Sequence, residues 1–325
     1  MGEILCIIDG MTDKRFRIEN YPNLCSLPLR ETVHTVPENA PPESLTCILT
    51  LLGYQNIPQH LRGYADAIGA GISVQKDDLV LRTSWVTLSA EHHVLGYTEA
   101  PSHYSPGEGF VYHCLGAYKG LLVLPNKADS LDNLTTYPPH KFLGAGLTSI
   151  LPTGMEALRR VVINSCRHGR CMLPWGQSRL SSLPPFSKRT AAITGTNVVR
   201  GIAYMTGMDI IQVSGATGDT DTNLIAKAEA AIQAAQHYPF VLLHINGADE
   251  AAHRRNPAEK QAFLHKVDRI LIPLLVESPY QLTIISDHAT DPDTGLHEAG
   301  VQEAYIKKVS AMKATDAETQ RKGIE

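Results

Sequence analysis

Metal-ligand residues stand at the ends of three apolar runs. Ile4-Leu5-Cys6-Ile7-Ile8 leads into Asp9; Phe240 to His244 leads into Asp249 and His253; Leu282-Thr283-Ile284-Ile285-Ser286 leads into Asp287 and His288, with His297 nine residues beyond. Carboxylates and imidazoles in this mixture suit Mn²⁺, with Zn²⁺ or Mg²⁺ also compatible. Three of each at one place would suit a pair of divalent cations, which polarise phosphoryl oxygens and lower the pKa of a bound hydroxyl. Asp249 and His253 are four apart and share a face on a helical turn. Asp287 and His288 are adjacent, and converge only where a strand ends and the chain turns. Asp291-Pro292-Asp293-Thr294-Gly295-Leu296-His297 is rich in turn formers and could carry His297 back to the same edge. Asp9 precedes Gly10, which also reads as a plain Asp-Gly turn.

Ser44 is the candidate nucleophile. A serine hydroxyl needs a base or a metal to attack at neutral pH. Ser44 follows Pro41-Pro42-Glu43 and precedes the apolar segment Leu45 to Leu52, so an N-cap is its simplest structural role. A helix starting there would also aim backbone N–H groups at a phosphoryl group. The loop Gly215-Ala216-Thr217-Gly218-Asp219-Thr220-Asp221-Thr222 lacks the lysine of a P-loop and reads as a turn followed by a helix cap.

The elements that must position these residues alternate. Strands are expected over about 3–8, 209–213, 240–246 and 281–286, and helices over about 222–237 and 257–276. Phe263, Val267, Ile270 and Leu274 recur at helical spacing behind Asn256-Pro257. Strand runs this apolar belong to a parallel sheet buried on both faces, and ligands of such sheets sit at the strands' carboxyl ends. Residues 11 to 43, with five prolines, are expected to be irregular. Residues 59–167 differ in texture: β-like runs at Ile72 to Val74, Leu79 to Leu88 and Gly120 to Leu124 lie among Gly, Pro, His and Tyr, and a helix from about Gly154 to Cys166 closes the segment. The expected organisation is a discontinuous α/β core of residues 1–58 and 168–325, resuming near Cys171, with an inserted α+β domain of 59–167. Lys307 to Glu325 reads as a terminal helix or frayed tail.

Composition excludes several classes. The 325 residues are 43% hydrophobic and 19% charged with a formal net charge of −4, without the basic stripe that a nucleic-acid surface requires. No run reaches the eighteen or so apolar residues of a membrane span, and no signal peptide is read at the N-terminus, whose apolar run breaks at Asp9. The six cysteines show no CxxC spacing and are expected to be reduced, in a cytoplasmic protein. The sequence leaves the oligomeric state open.

Together these residues resemble the cofactor-independent phosphoglycerate mutases of the archaeal type, in the alkaline-phosphatase superfamily. The resemblance is carried by Pro41-Pro42-Glu43-Ser44 through Gly53-Tyr54, Arg62-Gly63 through Gly71, Asp78 to Arg82, Pro174-Trp175-Gly176-Gln177, Gly201 to Met208, Gly215 to Gly218, Asp249 to His253 and Asp287-His288-Ala289-Thr290. It implies an alkaline-phosphatase-like core with an inserted cap. It further implies one cation on Asp9, Ser44, Asp287 and His288 and another on Asp249, His253 and His297. Ser44 would take the phosphoryl group of 3-phosphoglycerate and return it to give 2-phosphoglycerate, while the cap excludes water. The chain departs from the family pattern where Leu45 follows Ser44 instead of Asp. Lys119 stands for a cap arginine and lacks its two-pronged hydrogen bonding. Arginines are missing near His93 to Tyr97, and Glu298-Ala299-Gly300-Val301-Gln302 replaces an Asp-Pro-Val-Pro continuation. Arg62, Arg82 and Lys119 remain as anion-binding candidates. A phosphatase or phosphodiesterase of the same superfamily, and a non-catalytic relative, stay open as alternatives.

Overall fold

In the computed structural model, residues 2–38 and 40–309 are described. Two sheets organise them. The larger has seven strands in the order β2-β14-β11-β1-β10-β8-β9. Here β1 is Glu3–Ile8, β2 Leu29–His34, β8 Thr190–Ile193, β9 Asp209–Ile210, β10 Phe240–Ile245, β11 Gln281–Ile285 and β14 Val301–Lys307. From β11 to β9 every pairing is parallel, and only β14 runs against its neighbours. The mostly parallel α/β sheet expected from the apolar runs is present.

Alternation along β1 explains why those runs are continuously apolar. Ile4, Cys6 and Ile8 pack into the core on one face, with Leu224, Ala228, Phe263 and Val267 of the covering helices. Leu5 and Ile7 pack on the other, with Ile48, Leu49, Val199 and Ile202. Each large aliphatic side chain removed from water contributes roughly 1.5–3 kcal/mol, so both faces must stay covered and the register is strongly specified. Ile7 lies opposite both His244 on β10 and Ile285 on β11. That register sets Asp9, two residues on, level with Asp287, and brings three strand ends to one edge.

The second sheet is antiparallel. It holds β3 (Leu79–Leu88), β4 (Val94–Tyr97), β5 (Val111–Gly116) and β6 (Lys119–Leu124) in the order β4-β3-β6-β5, and β7 (Arg170–Ser178) pairs with β3. A helix at Glu156–Ser165 packs on it. Two short strands, β12 (Ala289–Thr290) and β13 (His297–Glu298), pair beside the edge of the large sheet.

Several local expectations shift. The segment beyond Cys171 does not rejoin the large sheet; β7 extends the second one to residue 178. Apolar strands of the two sheets read alike, and only pairing assigns them. Residues 11 to 43 contain a short helix, Pro22–Cys25, and the edge strand β2, which is polar and exposed along most of its length and so lacks an apolar signature. Ile72 to Val74 forms no strand. The helical stretch 257–277 is continuous but passes through a π turn at Val267–Leu271. Cys166 and Cys171 are joined in a disulfide with Cα atoms 4.1 Å apart, closing the turn between helix Glu156–Ser165 and β7; these two are therefore not the reduced thiols expected. Lys307 ends a strand rather than starting a helix, and residues 310–325 lie outside the described residues.

Candidate metal centre and cleft

Each ligand candidate is carried by a strand end or by the turn after it. Asp9 follows β1. Gly10 after it has φ of +62°, and a Cβ there would come within 2.7 Å of Thr290 Oγ1 and 2.9 Å of Asp249 Cβ. The Asp-Gly pair is thus needed for close packing as well as for a turn. Asp249 and His253 lie on the short helix Gly247–His253 that follows β10, with Oδ2 and Nε2 3.1 Å apart. Gly247 allows that helix to sit against Phe263, whose ring would be 2.6 Å from a Cβ. Asp287 and His288 follow β11, and β13 returns His297 beside them. The rings of His288 and His297 stack with centroids 3.9 Å apart.

Ser44 is not an N-cap. Glu43 holds that position, and the helix Ser44–Leu51 begins with Ser44. Its hydroxyl is free of capping and lies 3.3 Å from His288 Nε2. All seven sequence-predicted ligands, Asp9, Ser44, Asp249, His253, Asp287, His288 and His297, are brought into one cluster.

The hydrogen bonds sort the donor atoms into held and bare edges. Asp287 Oδ1 accepts from the backbone N–H groups of Gly10 (3.2 Å) and His288 (2.9 Å), while Oδ2 has no hydrogen-bond partner. Asp9 Oδ2 pairs with His244 at 3.1 Å, and its buried Oδ1 is unpartnered. His253 Nδ1–H donates to Gly295 O at 2.9 Å and His297 Nδ1–H to Pro42 O at 2.7 Å. Their Nε2 atoms then lie 3.2 Å apart, with Asp249 Oδ2 3.1 Å from that of His253 and Oδ1 3.4 Å from that of His297. Thr290 Oγ1 donates to Asp249 Oδ1 (2.8 Å) and accepts from His288 Nδ1–H (3.2 Å). His288 Nε2 is left facing Asp9 Oδ1 at 3.5 Å and Asp287 Oδ2 at 3.4 Å. Fixing one nitrogen of an imidazole selects the tautomer that offers the other to a metal. The bare oxygens of Asp9 and Asp287 are buried close together, and they repel one another unless protons or cations lie between them.

Electrostatics agree. Burial, then the nearby Asp287 and Asp249, push the Asp9 carboxyl well above the usual range. Burial and Asp249 push Asp287 up to about 7. Burial, reinforced by His297, holds His288 neutral. Around Asp249 burial acts upward but is outweighed by His253 and His297, so it stays ionised. Two donor sets emerge that share this carboxylate: Asp249 with His253 and His297, and Asp9 with Asp249 and His288. The residues present fit a pair of divalent cations.

A cleft of about 560 Å³ opens over the cluster. Its lining includes Ser44, Asp249, His253 and His297 from the large-sheet side and Arg62, Arg82, Lys119, Tyr97, Tyr118, His140 and Trp175 from the other. All three anion-binding candidates thus face it; Arg62 and Lys119 are hydrogen-bonded to acids, and Arg82 lies beside one with its Nε unpartnered. Arg62 Nε lies 2.9 Å and Arg82 Nε 3.7 Å from Asp66 Oδ2, and Lys119 pairs with Glu250. Burial pushes Asp66 upward, but Arg62 and Arg82 outweigh it and hold the carboxyl below its ordinary value. Lys141 reaches across to Glu43 at 2.8 Å, next to Ser44.

Sequence reading missed Asp66, His140, His244, Glu250 and Thr290. Asp66 carried a signal, four residues after Arg62; the others did not. Thr217, Gly218 and Asp219 line the cleft's rim, but their loop is a turn, and Asn223 caps helix Leu224–Ala234 after it. No helix among the described residues is long and apolar enough to cross a membrane.

Comparison with known proteins places the chain in a family. The profile of the metalloenzyme superfamily matches residues 5–301. The chain belongs to the metalloenzyme superfamily. Within it, the chain resembles proteins named 2,3-bisphosphoglycerate-independent phosphoglycerate mutase, mostly archaeal. That of Methanococcus aeolicus is 27% identical, with 92% of this chain and 87% of the relative covered. The second such protein of Methanothermobacter thermautotrophicus is 24% identical, with 91% and 86% covered. In fold, the superfamily member described here is similar to the PH0037 protein of Pyrococcus horikoshii (TM-score 0.66, 22% identity, 94% and 87% covered). It is also similar to the cofactor-independent phosphoglycerate mutase of Thermoplasma acidophilum (TM-score 0.51, 19% identity, 96% and 90% covered).

Proposed function

We propose that this superfamily member is a 2,3-bisphosphoglycerate-independent phosphoglycerate mutase that works through a phosphoserine on Ser44. The observation that carries the reading is the uncapped Ser44 hydroxyl, 3.3 Å from His288 Nε2, on the floor of a cleft with three cationic side chains opposite. Asp9, Ser44, Asp287 and His288 would hold one divalent cation and Asp249, His253 and His297 the other, with Mn²⁺ the best match to the donors. When bound, the pair would neutralise phosphoryl oxygens and activate hydroxyl groups.

The chain's own residues do the rest. Arg62, Arg82 and Lys119 hold the anionic groups of 3-phosphoglycerate. Ser44 Oγ bonds to phosphorus as the bond to the substrate's O3 breaks, leaving phosphoserine and glycerate. Glycerate then attacks the same phosphorus through O2, releasing Ser44 and giving 2-phosphoglycerate. The segment 59–167, extended by β7, acts as the cap, and the Lys141–Glu43 and Lys119–Glu250 pairs join it to the core beside the cleft. Water kept out between the two transfers separates a mutase from a phosphatase. The substrates are small cytoplasmic metabolites, and we place the protein there.

The test is an enolase-coupled assay with Mn²⁺ and no bisphosphoglycerate, run beside a phosphate-release assay. Formation of 2-phosphoglycerate is expected, with little phosphate released. A second reading, a metal-dependent phosphatase, is favoured by one observation: two of the three cations facing the cleft, Arg62 and Lys119, are already hydrogen-bonded to carboxylates of the chain, which weakens the hold on a second anionic group. Phosphate release from simple esters without 2-phosphoglycerate would replace the first reading with the second.

A further inference from the structure

Behind the ligand cluster runs a second line of hydrogen bonds. His244, the fifth residue of β10, is fully buried. Its Nε2 lies 3.1 Å from Asp9 Oδ2 and its Nδ1 3.3 Å from Thr194 Oγ1. Thr194 follows β8, and its Oγ1 accepts from the backbone N–H of Thr196 at 3.1 Å. A neutral imidazole has one N–H and one lone pair, and the Asp9 carboxylate, ionised when a cation is bound, only accepts. The N–H of His244 therefore points at Asp9, and its Nδ1 accepts the hydroxyl proton of Thr194. The ring has little freedom to swing. His244 sits opposite Ile7 of β1, and the buried Lys227 Nζ donates to the His244 carbonyl at 3.0 Å and the Thr217 carbonyl at 3.2 Å. Holding Oδ2 turns the unpartnered Asp9 Oδ1 toward His288 Nε2.

We propose that His244 is a positioning residue: the Thr194–His244–Asp9 relay presents Asp9 Oδ1 to the cation of the Asp9, Ser44, Asp287 and His288 set, and so sets the affinity of that set alone. The proposal rests on the two-cation reading. Its selectivity follows from geometry. The second set has anchors of its own, the carbonyls of Gly295 and Pro42, and no contact with His244 is needed to orient them. Outer partners of metal ligands commonly alter affinity by about 10–100-fold.

The experiment is calorimetric titration of chelator-treated protein with Mn²⁺, alongside visible spectra of the Co²⁺ form. Wild type, His244→Phe, His244→Gln and Thr194→Val are compared, with circular dichroism to verify folding. Wild type should bind two ions. His244→Phe should weaken one of them about 10–100-fold and leave the other within about threefold. His244→Gln, whose amide can still donate to Asp9, should recover most of the loss and keep the wild-type Co²⁺ spectrum. Thr194→Val should cost about three- to tenfold at the same site. Should His244→Phe not fold, the other two variants carry the test. Two ions in wild type with unaltered affinities in the folded variants overturn the relay alone. A Co²⁺ spectrum altered in His244→Gln makes His244 a direct ligand and also overturns it. One ion or none in wild type overturns the two-cation reading and the relay with it.

Discussion

On the large-sheet side of the cleft, the carboxylates of Asp9 and Asp287 each have one oxygen tied to the protein and the other bare, and the imidazoles of His253, His288 and His297 turn Nε2 toward carboxylates of the cluster. On the second-sheet side, Arg62, Arg82 and Lys119 each lie beside an acid of the same chain, and Asp66 serves both arginines. The first wall is built on strand ends locked by register, and its charges require something from outside. The second hangs on a helix, a strand and a hairpin; Asp66 offsets part of its positive charge, and Lys119 reaches across to Glu250 of the first wall. On the proposed reading, the large-sheet wall would set the reaction class, while the second would tune what is held and for how long. Lys119, standing where the family pattern has arginine, belongs to the second wall; Ser44 and the candidate ligands belong to the first.

The sharpest way to break this contrast is Ser44→Ala. Turnover should fall by roughly 10⁴-fold or more, while both ions stay bound because Asp9, Asp249, Asp287 and the histidines remain. Activity together with metal content reads both halves, and undiminished turnover would remove the covalent route altogether. Next in size is Arg82→Met, which leaves Asp66 and one guanidinium. KM for the phosphorylated substrate should rise about 10–100-fold, with metal affinity unchanged. A parallel loss of metal would mean that the walls are not separable.

A pH series sharpens the contrast without substrate. In metal-free protein Asp287 is raised to about 7 and Asp9 is raised as well, against about 3.9 unfolded. Below about pH 4 both states are protonated. Between there and about pH 7 the folded state holds more protons, so stability falls as pH rises. Thermal melts after chelation should show that decline, and Mn²⁺ should remove it. The Asp66 cluster of the second wall predicts the opposite slope. Asp66 is lowered by its arginines, so its contribution is present above about pH 4 and lost in acid as pH falls through its folded pKa. Melts of Asp66→Asn should lack that acid-side component. The smallest effect is expected of Lys119→Arg: restoring a planar fork should lower KM by a few-fold and reduce any phosphate leakage. Unchanged kinetics would show that Glu250, not the shape of the cation, controls that corner.

How much was legible follows from what each residue depends on. Asp9, Asp249, His253, Asp287, His288 and His297 could be read because a buried parallel strand writes itself as an unbroken apolar run, and the residue after such a run has a known place at the sheet edge. Ser44 could be found as a helix start but not as an uncapped one, because the one-residue difference between Ser44 and Glu43 depends on backbone angles. The polar edge strand β2 and the membership of β7 were not legible, since pairing partners far apart in the chain decide them. Cys171-Met172-Leu173 within Arg170–Ser178 reads like part of a core strand, yet it joins the other sheet.

The sequence alone determined the donor chemistry and the existence of a parallel sheet to gather it, because residue type and hydrophobic period are local properties. Tertiary structure decided which edge of each donor is bare. That depends on where Gly10, Pro42, Thr290, Gly295 and His244 come to rest against the ligands, and those contacts close loops of up to several hundred residues that no local pattern records.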